Sequence, residues 1–183
     1  MADIATVLLV CPATDLRYAR SERSNWANAL HLRVVEVPSP VTIESVTRAI
    51  ESIQPEGLAV LGHGTADGIP LDDGELLDYD VLAPFIRGRV RWMYLGVCDS
   101  YTLGQEIAST LGIPVLCTIG PIYDRAAYAM GSGLVSALDN GVSFEDYARA
   151  NDSPGQTRGF RLVTPPPAAE GDRFHRCLAM VPA

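Results

Sequence analysis

Two unbroken apolar runs constrain the chain more tightly than any other feature of it. Leu58-Ala59-Val60-Leu61 leads into Gly62-His63-Gly64, and Trp92-Met93-Tyr94-Leu95-Gly96-Val97 leads into Cys98-Asp99-Ser100. A strand with one wet face alternates apolar and polar residues. Continuous hydrophobicity instead suits central parallel strands covered by helices on both faces. In open sheets of that kind the ligand crevice lies outside the carboxyl ends of the strands, so His63 and Cys98 are expected to face one crevice.

The flanking chain reads as alternating strands and helices. Ile4 to Val10 is a first buried strand, broken at Cys11-Pro12. Asp15 to Leu30 has a loose helical spacing, Leu32 to Val37 is a second strand, and Ser39-Pro40 is read as the cap and first turn of a helix through Ile53. After the His63 strand, Asp73-Gly74 between short apolar segments signals a hairpin, which predicts a two-stranded flap between Ala66 and Tyr79. A short helix over Tyr79 to Ile86, interrupted by Pro84, precedes the Cys98 strand. Thr102-Leu103-Gly104-Gln105 has the form of a capping box for a helix through Leu111. Ile113 to Ile119 is a fifth strand, and Asp124 to Leu138 is a helix stopped at Asn140-Gly141. Ser143 to Ala150 adds a turn or two, and Gly159 to Val163 is a sixth strand. Right-handed crossovers between such elements give an α/β domain over residues 1–164, followed by a Pro-rich, weakly patterned tail over 165–183.

Composition narrows the chemistry. With 183 residues, 48% of them hydrophobic, the chain fills one core well and two poorly, so a single domain is expected. A net charge of -8 and no basic patch argue against a surface that tracks nucleic-acid phosphates. All 14 positive residues are Arg. The absence of Lys excludes lysine Schiff-base chemistry, the Walker A loop and Ser-x-x-Lys acyl transfer. Cys11, Cys98, Cys117 and Cys177 form no Cys-x-x-Cys pair, so no zinc knuckle or redox motif is indicated, and no metal or cofactor is expected. The start lacks a basic leader, and no apolar run approaches the ~20 residues of a membrane span. These features predict a cytoplasmic protein without a membrane partner. No Gly-x-Gly-x-x-Gly follows the first strand, which weakens a dinucleotide-binding reading.

A Cys-His nucleophilic pair needs a thiolate, an imidazole to manage its proton, and amides aimed at the developing oxyanion. Cys98 lies at a strand end just before a helix, whose positive end favours the thiolate. Gly64 lets the backbone approach a substrate, so its N–H and that of Cys98 form a candidate oxyanion hole. Cys98 can equally be a small core residue, and His63 a loop residue between glycines. Cys11 and Cys117 are assigned to the core, His31 and His175 to the surface.

With its flap and strand order, the chain resembles the caspase-like cysteine peptidases, and among them most closely the bacterial CHAT-type domains. The resemblance runs from Ile4 to Val163. It is strongest where a strand ending in His63-Gly64 is followed by one ending in Cys98-Asp99-Ser100, and it extends to Asp124-Arg125-Ala126-Ala127 and the Gly141-Val142-Ser143 step. It implies a three-layer caspase-like fold with a mostly parallel six-stranded sheet between helices. It also implies a cysteine endopeptidase with Cys98 as nucleophile and His63 protonating the leaving amine, acting on a protein or peptide substrate. An activating sensor protein of a bacterial conflict or stress pathway is the partner it implies, with the flap and the loop from Tyr101 gating the cleft. The alternative is a catalytically inactive caspase-like module that binds a partner.

The acidic residues nearest the two strands are Asp99 and Asp124, which as substrate-binding residues favour a basic residue before the scissile bond. Asp124 can also be read as the N-cap of its helix. Arg87, Arg89 and Arg91 lie at the wrong end of the fourth strand to read an acidic residue.

Overall fold

The computed structural model describes residues 4–12, 15–153 and 159–166. His175, Cys177 and residues 167–183 of the expected tail lie outside these. Strands β1 (Thr6–Val10), β2 (Arg33–Glu36), β3 (Gly57–Leu61), β6 (Trp92–Gly96), β7 (Val115–Ile119) and β8 (Gly159–Val163) form one six-stranded sheet in the order β2-β1-β3-β6-β7-β8. Five strands run parallel, and β8 pairs antiparallel with β7. β4 (Ile69–Pro70) and β5 (Leu76–Leu77) pair antiparallel as the expected flap, turning at Gly74, whose φ of 83° suits a residue without a Cβ.

The unbroken hydrophobicity of the central strands has the cause inferred from the sequence, for both faces of the sheet are covered. Leu8, Val10, Leu58, Val60, Met93 and Leu95 point to one face, against α2 (Ile43–Ile53), α3 (Tyr79–Ile86) and α4 (Tyr101–Leu111). Val7, Leu9, Ala59, Leu61, Trp92 and Tyr94 point to the other, against α1 (Ala19–Ala27), α5 (Asp124–Asp139) and α6 (Phe144–Asn151). All twelve of these strand residues are 5% exposed or less, each large side chain contributing about 1.5–3 kcal/mol by leaving water. The protein is therefore α/β, with a mostly parallel sheet between two helical layers.

Local capping differs from expectation in two places. α2 does not start at Ser39-Pro40. Its cap is Thr42, whose Oγ1 accepts from Ser45 N while Ser45 Oγ accepts from Thr42 N. The reciprocal bonds satisfy two orphan donors of the first turn, which Ser39 and Pro40 could not do together. Nor does Thr102 cap α4: the helix already includes it, and Ser100 is the N-cap residue. Tyr101, expected in a loop bordering the cleft, is the first residue of that helix. α1 is shorter than its sequence pattern, spanning Ala19–Ala27 rather than Asp15 to Leu30. α3 runs through Pro84 without a break, capped by Asp78 Oδ1 on the Val81 amide.

Candidate active site

β3 and β6 are adjacent and parallel, with Leu61 level with Gly96. Two residues beyond each strand come His63 and Cys98, so the shared register carries both to the same level at the carboxyl edge of the sheet. The two loops touch. A Cβ built on Gly64 would lie 2.2 Å from the Cys98 carbonyl oxygen and 2.9 Å from Val97 Cγ2, so only glycine permits this approach.

The turn carrying Cys98 is fixed from below. Ser100 is buried, and its hydroxyl donates to Val97 O at 3.1 Å and accepts from Thr118 N at 3.0 Å. Thr118 Oγ1 donates to the same Val97 carbonyl at 2.5 Å. These bonds tie the end of β6 to β7 and explain why Ser100 spends no hydrogen bond on capping α4. Asp99 takes a left-handed backbone, with φ 53°, and its N–H donates to Gly120 O at 3.2 Å. The Cys98 thiol is half-buried. Its Sγ accepts the Ile122 N–H at 3.4 Å and lies 3.9 Å from Ile122 O. Neither the Gly64 amide nor the Cys98 amide makes a backbone hydrogen bond among the described residues, which leaves both available to an oxyanion.

His63 is held by a residue that the sequence analysis missed. Its Nε2 lies 2.7 Å from Asp15 Oδ1, in the loop after β1, and this contact lowers the Asp15 carboxyl below its ordinary value. With Nε2 engaged, Nδ1 is the nitrogen left for another partner. No hydrogen bond joins it to Cys98 Sγ. The loops that engage the two side chains nevertheless lead into helices of one layer, Asp15 into α1 and Ile122 into α5. The signal that could have found Asp15 is the topology: β1 and β3 are neighbours, and the chain leaves β1 for β2 on one side and returns to β3 on the other. Their ends form the switch point where α/β sheets open a crevice.

The other two cysteines of the described residues are placed otherwise. Cys117 is fully buried in β7, and burial pushes its thiol up to about 12. Cys11 is half-buried rather than in the core, and burial raises it to about 11. His31 is at the surface, its amide donating to Asp139 Oδ1 at 2.5 Å.

Of the two expected substrate-binding carboxylates, Asp99 adjoins Cys98. Asp124 is the first residue of α5 rather than its cap, and its Oδ2 accepts the Tyr18 amide at 2.9 Å, tying α5 to the chain entering α1. A second acidic surface lies between the flap and the first turns of α4: a cleft of about 260 Å³ with Asp67, Asp80 and Glu106 on its walls. No set of three or more His, Cys, Asp or Glu side chains could hold a metal ion among the described residues, and none of the described helices is long and apolar enough to cross a membrane. No protein-family model matches the chain, and no curated protein matches it significantly.

Proposed function

We propose that the protein is a cysteine endopeptidase of the caspase-like, CHAT-type kind, with Cys98 as nucleophile and His63 as acid-base residue. The observation that carries the reading is the common register of the two residues on neighbouring parallel strands, with an imidazole oriented by Asp15 and a thiol two residues before the N-cap of α4. The Cys98 thiolate attacks the scissile carbonyl carbon, and the electron pair moves to oxygen, where the Gly64 and Cys98 amides meet the negative charge. His63 gives its proton to the departing amine as the C–N bond breaks, leaving a thioester on Sγ. It then takes a proton from water, whose oxygen attacks the thioester, and returns a proton to the thiolate as the acid leaves. Asp15 stabilises the imidazolium and keeps its ring in one orientation.

A basic residue before the cut bond is the proposed preference. Asp99 beside the nucleophile supports it, and so do the carboxylates of the flap cleft, which offer charge to a guanidinium or ammonium from the adjoining surface. Because the thiol rests on the Ile122 amide and not on His63, a rotation of Cys98 or a shift of the 120–123 loop must precede chemistry. That is the step an activating partner, such as a sensor protein of a bacterial conflict or stress pathway, would drive.

The same Ile122 contact favours the second reading, a caspase-like interaction module without catalysis. Weak cleavage of a peptide library by the isolated wild type, as the gating requires, with loss of even that in both Cys98→Ala and His63→Ala, is the result expected of a peptidase. Cleavage that persists in Cys98→Ala contradicts it.

A further inference from the structure

Outside the proposed active site, a concavity of about 600 Å³ lies on the far side of Asp15, beyond the carboxyl ends of β1 and β2. It falls within the several hundred Å³ usual for a small-molecule site. Its floor is apolar, made by the buried Pro12 and Val37 with Cys11. Its rim carries Arg17, Arg20 and Arg23 in a chain whose net charge is -8.

The charges on this rim do not cancel. Glu36 is committed to Arg23, Oε1 to Nε at 2.5 Å, and Asp15 to His63 at 2.7 Å. Glu36 and Arg23 therefore cancel within the rim, and Asp15 is engaged outside it, which leaves Arg17 and Arg20. Arg17 and Arg20 have no ion-pair partner among the described residues; Arg17 only rests 5.6 Å from the centroid of the Tyr18 ring. Glu22, the remaining acid of α1, is buried beneath the helix and is held largely protonated near neutral pH by that burial. Two uncompensated guanidiniums over an apolar floor form a recognition surface for a molecule with an anionic end and a less polar body. The planar fork of Arg matches phosphate oxygens in pairs.

We infer that this cavity binds a phosphate-bearing small molecule of about nucleotide size, with Arg17 and Arg20 on the phosphates and the body of the ligand against Pro12 and Val37. No glycine-rich phosphate loop follows β1, so side chains rather than a backbone cradle carry the recognition. The inference is independent of whether Cys98 is a nucleophile.

The test is calorimetric titration of the full chain with magnesium-free ADP and, separately, with inorganic pyrophosphate, in the wild type, an Arg17→Ala/Arg20→Ala variant and an Arg87→Ala/Arg89→Ala variant at the opposite end of the sheet. Circular dichroism checks that each variant is folded. Saturable one-to-one binding of ADP is expected, weakened roughly tenfold or more in the first variant, as loss of hydrogen bonds to a charged group implies, and unchanged in the second. ADP binding tighter than pyrophosphate supports the role of the apolar floor. Absence of saturable binding, equal weakening in both variants, or preference for an acidic peptide over ADP overturns the inference.

Discussion

The two faces of the sheet are built on different terms. Under α2, α3 and α4 the side chains are almost entirely hydrocarbon, with Leu58, Val60, Met93 and Leu95 from the strands against Val46, Ile50, Leu82, Ile86 and Ile107. Under α1, α5 and α6 the packing includes aromatic rings with polar ends and a carboxyl group. Trp26 stacks near Tyr94, the Tyr94 hydroxyl donates to Ala127 O at 3.2 Å, and Glu22 lies beside them, 3% exposed. Glu22 Oε1 and Trp26 Nε1 have no hydrogen-bond partner among the described residues. The glycine at 131 makes room for the carboxyl, since a Cβ there would come within 1.6 Å of Glu22 Oε1. The first face is a scaffold, while the second carries the loops that hold His63 and Cys98 and tolerates unsatisfied polar groups behind them.

The largest expected effect separates the faces by pH. Burial raises the Glu22 carboxyl from 4.5 to about 8, with the charge of Asp124 pushing the same way. Between those values the folded state holds a proton that the unfolded state has lost. Stability should therefore fall as pH rises through this window, by about 1.4 kcal/mol per pH unit from this group, and level off above it. Urea melts of the wild type and Glu22→Gln at pH 5, 6.5 and 8 test this. The variant should lose the slope, and equal slopes would place the pH dependence elsewhere.

A cavity on the scaffold face should cost about as much without any such slope. Leu58→Ala is expected to lose about 2–5 kcal/mol at every pH. Smaller in energy is Gly64→Ala, where the new methyl meets the Cys98 carbonyl and forces the loops apart, for roughly 1–3 kcal/mol. Its thiol chemistry should fail even where the fold survives, as seen by alkylation of Cys98 in the folded variant. Smallest in stability is Asp15→Asn. Both partners are exposed, Asp15 89% by side chain, so the melting temperature should not move measurably. Alkylation of Cys98 should nevertheless slow, because His63 loses the group that orients it.

The layers and strand identities were legible because they rest on local periodicity, which buried parallel strands display without help from distant residues. Gly57 to Leu61 and Asp124 to Asp139 are where the apolar patterns put them. The errors share a cause. Thr42 replaced Ser39 as a cap, and Ser100 took the position expected of Thr102 without a side-chain cap, because tertiary contacts decide where a hydroxyl is spent: Ser39 reaches Asp72, 33 residues away, and Ser100 bonds to β7, 18 residues away. Asp15 was invisible for the same reason. Its partner lies 48 residues further on, and the contact exists only because β1 and β3 are neighbours. That His63 and Cys98 follow neighbouring strands could be read from the sequence; what holds each of them there could not.

If His63 serves Cys98 as proposed, Cys98 is chemically set apart from Cys11 and Cys117. With the thiol of Cys11 pushed up to about 11 and that of Cys117 to about 12, their thiolate fractions near pH 7 are roughly 10⁻⁴ or less. Iodoacetamide labelling at pH 7, followed residue by residue by mass spectrometry of peptides, measures the distinction directly. Cys98 is expected to label faster than Cys11 and Cys117 in the wild type and to slow markedly in His63→Ala, while Cys11 and Cys117 are unaffected. Labelling of Cys98 no faster than that of Cys11, or at the same rate with and without the imidazole, would contradict it.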